Sequence, residues 1–204
     1  MVILGGAKVS DKIGVIENLL PKAQIFLIGG GMAYTFLKAQ GVEIEKSKLD
    51  AERIDFAKEL LEKAKELGKK IVLPVDHVVA ASLDKPETAK VVNDVSVPAD
   101  TLGLDIGPKT IELFKSQLKN AKTIVWNGPL GVSEVKAFSR GTKEIMEFIA
   151  HLKATSILGG GDTAAAASQF GFTDKITHIS TGGGASLEYM EGKILPGVAA
   201  LTEK

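Results

Sequence analysis

Three glycine triplets stand where strands should hand over to helices: Gly29–Gly31 in LIGGGMA, Gly159–Gly161 in ILGGGDT and Gly182–Gly184 in ISTGGGAS. Two more glycine-bearing loops, ILGGAK from Ile3 to Lys8 and WNGPLG from Trp126 to Gly131, follow β-type runs of the same kind. Tight turns alone explain any one of these loops. The triplets together hold nine glycines, each costing roughly 0.5 to 1 kcal/mol in chain entropy relative to alanine, which is a large sum beside a domain's net stability of roughly 5 to 15 kcal/mol. A side-chain-free backbone at a helix start offers unpaired N–H groups to an anion, and the helix dipole adds to the attraction. Several such ends on one edge of a sheet suit a polyphosphate.

Charged residues beside the glycines refine that chemistry. Asp162 follows the third triplet glycine of ILGGGDT, where a carboxylate caps a helix or holds Mg²⁺ on a nucleotide. Lys8 and Lys12 flank the first loop at i,i+4; a lysine close to a migrating phosphoryl group neutralises its equatorial oxygens. Glu134 offers two acceptor oxygens to ribose hydroxyls, or is a solvated surface residue. A Walker A loop is absent, because Gly68-Lys69 and Gly192-Lys193 lack both the upstream glycine and the following Ser or Thr. Gly159 to Ala164 fits the dinucleotide pattern GxGxxA, but the acidic residue expected at the end of the next strand is replaced by Ser180 and Thr181. A dinucleotide-binding oxidoreductase domain and a noncatalytic nucleotide-binding module therefore stand as alternatives to a kinase.

The elements that must position these loops follow from periodicity. Short β-branched runs at Val2–Leu4, Gln24–Ile28, Ile71–Leu73, Thr123–Trp126, Ser156–Leu158 and Thr177–Ser180 alternate with helical patterns, the signature of a parallel sheet covered on both faces. The fold class is α/β, and every glycine loop then emerges at the carboxyl edge of the sheet. The clearest helix is DAERIDFAKELLEKAKELG, with Ala57, Leu60, Leu61, Ala64 and Leu67 on one stripe, a Glu59–Lys63 pair and a stop at Gly68. Alternating stretches between Val75 and Val97 around LDKPET predict a small antiparallel hairpin on a sheet edge. No linker-like stretch divides the chain, so residues 1–204 are expected to form one domain.

Composition removes several classes of function. Hydrophobic residues make up 45% of the 204 residues, enough to fill a core. Lys+Arg and Asp+Glu each number 25, so the overall charge points neither to nucleic acid nor to a membrane surface. With no cysteine, disulfides, zinc knuckles and thiol nucleophiles are excluded. His77, His151 and His178 lack metal-ligand spacing. No apolar run reaches the roughly 20 residues of a membrane span, and Met1 leads straight into a strand as though cut from something longer. The expected location is the cytoplasm.

GGAKVSDKI, LIGGGMAYTFL, PVD, LGLDIGP, VWNGPLGVSE, GGGDT and STGGGASLE occur in the order and approximate spacing found in phosphoglycerate kinases, and over essentially its whole length the chain resembles that family's C-terminal, nucleotide-binding lobe. The resemblance implies a Rossmann-like three-layer αβα sandwich with a six-stranded parallel sheet and a small antiparallel hairpin. It implies that Gly6, Ala7, Gly30, Gly103, Leu104, Pro129 and Val132 line an adenine pocket, and that Asn127 and Glu134 hold ribose and phosphate. Lys12 and the loop Gly160, Gly161, Asp162 and Thr163 would bind the phosphates of ADP or ATP, with Asp162 on Mg²⁺. Lys8 would follow the transferring phosphoryl group, and Gly183 and Gly184 would present a helix N-terminus to it. The phosphoglycerate-binding basic patch belongs to the N-terminal lobe, a partner missing here. The isolated chain is expected to bind nucleotide with little turnover. The tail KILPGVAALTEK is expected to lack its usual cover at Ile194, Leu195, Val198 and Leu201.

Overall fold

A computed structural model describes residues 1–201. The last three residues of the KILPGVAALTEK tail, and of the expected 1–204 domain, lie outside the described residues. Six parallel strands form the main sheet: β1 (Val2–Leu4), β2 (Ile25–Ile28), β3 (Lys70–Val72), β7 (Thr123–Asn127), β8 (Thr155–Gly159) and β9 (His178–Ser180), in the spatial order β3-β2-β1-β7-β8-β9. The six runs expected from the sequence are all present, with ends displaced by a residue or so.

Alternation along the central strand explains the three layers. Val2 and Leu4 point to one face and pack with Phe26, Ile28 and the helices α1 (Ile13–Leu19), α2 (Ala33–Ala39) and α3 (Ile54–Glu66). Ile3 points to the other and packs with Leu27, Trp126, Leu158 and the helices α4 (Pro108–Leu118), α5 (Arg140–Ala150) and α6 (Gly161–Gln169). Both faces are dry, so β1 is apolar at every position. In α3 the stripe is narrower than expected: Ala57, Leu60 and Ala64 are buried, but Leu67 is 49% exposed beyond the last turn. Gly68 ends the helix at φ +64°. The expected Glu59–Lys63 pair is not among the ion pairs of the described residues.

The antiparallel unit differs from the expectation. It is a separate three-stranded sheet in the order β5-β4-β6, built from β4 (His77–Ala80), β5 (Lys90–Val92) and β6 (Leu102–Ile106), rather than a hairpin extending the parallel sheet. The third strand, LGLDI, pairs with β4 across a register shift between Val78 and Val79. Gly103 hid it, because a glycine weakens a strand signal. Here the glycine is required: a Cβ at position 103 would overlap the Tyr34 side chain.

Helix α7 (Gly183–Met190) lies against α1, with Leu187 and Met190 joining the first apolar cluster. The chain ends in a short helix, α8 (Pro196–Ala199), and leaves Ile194 83%, Val198 55% and Leu201 73% exposed, with Leu195 half-buried. No helix of the described residues is long and apolar enough to cross a membrane.

Candidate functional site

Connections run outward in one direction from β1 to β2 and β3, and in the other from β7 to β8 and β9. The crevice between the carboxyl ends of β1 and β7 is therefore a topological switch point, the place where open parallel sheets bind ligands. The loops that meet there do so backbone to backbone. Gly5 N donates to Asn127 O (2.9 Å), Gly6 N to Pro129 O (3.0 Å), Gly29 N to Leu4 O (2.9 Å), Gly30 N to Leu130 O (3.0 Å) and Met32 N to Gly6 O (3.0 Å). Side chains would forbid this approach: a Cβ on Gly30 would lie 2.7 to 2.9 Å from Gly6 N, Gly6 O and Pro129 O. The glycines at 5, 6, 29 and 30 thus spend their amides on carbonyls of the neighbouring strand and of the loop after β7. Of the several loops expected to offer amides to an anion, those after β1 and β2 already use these donors in close packing.

The other two loops remain open. Gly160, at φ +94°, turns the chain into α6, whose first backbone bond is Ala164 N to Gly160 O (3.0 Å). The amides of Gly161, Asp162 and Thr163 precede it and have no place in the helical ladder. Across from them α7 starts at Gly183, with Ser186 N donating to Gly182 O (2.7 Å). Neither helix has a side-chain cap, and a Cβ placed on Gly183 would lie 3.7 Å from Gly161 N. Two uncapped N-termini therefore face one small region, with Asp162 exposed on its rim.

Behind that region, side chains expected as separate ligands bond to each other. Lys12 Nζ donates to Asn127 Oδ1, and Asn127 Nδ2 donates to Gly159 O (2.9 Å). Both ends of the buried Asn127 amide are therefore occupied within the protein. Burial depresses the Lys12 pKa, while Asp11 and Asp162 pull it back up. Thr163 is fully buried, and its Oγ1 accepts Gly128 N (2.8 Å), so its side chain ties α6 to the β7 loop. Lys8 is exposed at the edge of the crevice.

A cavity of about 380 Å³ opens beside the helix ends. Of the residues expected at an adenine and ribose site, Gly6, Ala7, Gly30, Gly103, Leu104, Pro129, Val132 and Glu134 line it, together with Asp162. Lys8, Lys12, Asn127, Gly160, Gly161, Thr163, Gly183 and Gly184 do not line it. The sequence reading missed Tyr34, Lys48 and Asp105, which also line the cavity. Tyr34 is held by His77: His77 Nε2 donates to Val95 O (2.8 Å), which leaves Nδ1 to accept the Tyr34 hydroxyl (3.2 Å). Burial lowers the His77 pKa, against the pull of the Val95 hydrogen bond and of Asp76 and Asp94. Tyr34 within LIGGGMAYTFL and Asp105 within LGLDIGP stood inside quoted motifs, which was the available signal. Lys48 gave none, because nothing local sets it apart from other surface lysines.

A larger cavity, about 840 Å³, lies between α1, α7 and the tail and is lined mainly by apolar residues including Tyr189, Ile194 and Val198. It holds none of the expected site residues, so the smaller cavity carries the functional reading. Among the described residues no three His, Asp or Glu side chains gather to hold a metal. A single exposed carboxylate beside an uncapped helix N-terminus fits Mg²⁺ carried on a nucleotide, whose phosphates would supply its other ligands.

Residues 1–193 match the family model described as phosphoglycerate kinase. A phosphoglycerate kinase of Lactobacillus delbrueckii subsp. lactis is 60% identical over 205 residues, and one of Clostridium botulinum is 57% identical over 203; the alignments cover 100% of this chain and 50% and 51% of those proteins. The chain thus spans about half the length of the curated relatives it matches. The solved phosphoglycerate kinase of Coxiella burnetii superposes with TM-score 0.92 at 45% identity, covering 97% of this chain and 51% of that one. That of Pyrococcus horikoshii OT3 does so with TM-score 0.84 at 36% identity, over 98% and 51%.

Proposed function

Since the chain belongs to the phosphoglycerate kinase family, we propose that residues 1–204 are its nucleotide-binding half, one domain that takes MgADP and MgATP for phosphoryl transfer between 1,3-bisphosphoglycerate and ADP. The observation that carries this reading is the pair of uncapped helix N-termini, α6 and α7, facing each other beside a cavity walled by Gly6, Ala7, Gly103, Leu104 and Val132. The base sits in the cavity, Glu134 takes the ribose, and the phosphates run toward the amides of Gly161 to Thr163. Bound Mg²⁺ supplies charge neutralisation for the phosphate oxygens, held on the protein side by Asp162. Lys8 and the Gly183–Gly184 amides stabilise the negative charge of the phosphoryl group in flight. Phosphoglycerate is held by the half of the relatives that this chain does not span, so the chain alone binds nucleotide and turns over little, and the pair of lobes works in the cytoplasm.

The dinucleotide alternative is not favoured: β9 ends at Ser180, and no carboxylate takes the ribose position there. Calorimetric titration with MgADP and with NAD separates the two readings, with binding expected only for MgADP. In Asp162→Ala, the difference between titrations in Mg²⁺ and in a chelator should vanish; if the variant keeps the wild-type Mg²⁺ dependence, Asp162 serves only the helix. Adding in trans the half of a relative that this chain does not span tests the noncatalytic alternative, which predicts no turnover with both halves present.

A further inference from the structure

The segment that carries Lys48 crosses the cavity rim and is pinned on both sides of that residue. On one side Ser47, 6% exposed, accepts Gly103 N through its Oγ (2.9 Å), tying the segment to the cavity wall at β6. On the other, Asp50 N donates to Oγ1 of the buried Thr35 in α2 (3.1 Å), and Asp50 Oδ2 accepts Ser10 N (3.0 Å) from the loop that follows β1. The backbone at Lys48 therefore has little freedom, although its side chain is exposed. Its stem packs over the glycine loop: a Cβ at Gly31 would lie 3.2 Å from Lys48 Cβ and 3.0 Å from Ala7 O. Among the described residues that line the cavity Lys48 is the only cation, and it takes part in none of the ion pairs found among the described residues. Tyr34, Pro74 and Leu83 line the same cavity, as do the carboxylates of Asp105, Glu134 and Asp162, the last at the start of α6.

We infer that Lys48 is a further ligand of the nucleoside, its stem closing the slot beside Gly31 and its ammonium lying against the face of the base. A pinned backbone keeps the entropic cost of ordering this one side chain small. An ammonium over an aromatic face is attractive without needing a carboxylate partner. The inference rests on the nucleotide reading above and adds to it a residue that acts on the base rather than on the phosphates.

The test compares adenosine and MgADP on wild type, Lys48→Met and Lys48→Arg, by NMR titration for the weak ligand and calorimetry for the tight one. Lys48→Met keeps the apolar stem and removes the charge, and should weaken adenosine and MgADP by the same factor, about three- to tenfold. Lys48→Arg, still a cation able to stack on a ring, should stay within about twofold of wild type. Unchanged affinities in Lys48→Met overturn the inference, and so does a loss confined to MgADP, which places the ammonium on the phosphates. Failure of wild type itself to bind MgADP removes the nucleotide reading instead, an outcome distinguishable before any variant is made. Because Lys48 is exposed, its variants should keep the circular dichroism spectrum and urea midpoint of wild type.

Discussion

Replacing Asp105 by asparagine tests how the cavity floor is built. The carboxyl is 3% exposed and accepts Gly141 N (2.7 Å) and Ile106 N (2.9 Å). It fills the niche left by Gly131 and Gly141, where any Cβ would overlap it. Burial pushes its pKa up to about 8, against the pull of those two amides and of Arg140, with Glu144 adding to the rise. In the unfolded chain the group titrates near roughly 3.9. The folded pKa is the higher one, so between these values the folded state keeps a proton that the unfolded state has released. Stability therefore falls as pH rises through this window, by about 1.4 kcal/mol per pH unit, flattens as pH nears 8 and levels off above it. From pH 6 to 8 the loss is about 2 kcal/mol. Asparagine does not titrate, and its single acceptor oxygen leaves one of the two amides unpaired at a cost of roughly 1 to 3 kcal/mol. Urea unfolding at pH 6, 7, 8 and 9 should find Asp105→Asn less stable than wild type at pH 6, with the gap closing by about 2 kcal/mol at pH 8. Other titrating groups cancel in the difference. A gap that stays constant, or that widens as pH rises, refutes the reasoning.

Two further outcomes follow from the backbone. Gly5→Ala forces a Cβ into Pro129 O, which is main chain and cannot rotate away, so a loss of about 3 kcal/mol or more is expected; Gly161→Ala meets nothing within 4 Å and should stay within about 1 kcal/mol of wild type. Equal urea midpoints for the two variants would show that the interlocked loops are not close packed. Glu45 is exposed at φ +47°, a region that costs an L-residue about 1 kcal/mol or more, so Glu45→Gly should stabilise by about 0.5 kcal/mol after the added unfolded-chain entropy is subtracted. A destabilised variant in thermal or urea unfolding goes against that sum.

Much of the fold could be read from local pattern. Val2 to Leu4 are buried on both sheet faces, and a strand with two dry faces can only be apolar throughout. The helix that Gly68 ends was visible because a 3.6-residue stripe and its stop signal are both local. The parallel order of strands placed all the glycine loops on one edge, and with them the neighbourhood of Asp162, Glu134 and Lys8.

What those glycines do there was decided by the tertiary structure alone. Glycine permits both an open amide and a close backbone contact, and only the opposing chain selects between them: Pro129 and Leu130 take the amides of Gly6 and Gly30, while a Cβ on Gly161 or Gly184 would find nothing within 4 Å. The helix caps show the same limit. Helix α4 takes Asp76 from the β3–β4 connection, through Lys109 N (2.8 Å) and Thr110 N (2.7 Å), and α5 takes Asp105 from β6; each carboxylate lies more than thirty positions away along the chain. Tyr34 and Lys48 reach the cavity by the same kind of long-range contact. Periodicity reports which face of an element is dry, because burial repeats along the element. A hydrogen bond or a cavity wall is made with one distant partner, occurs once, and leaves no repeat to read.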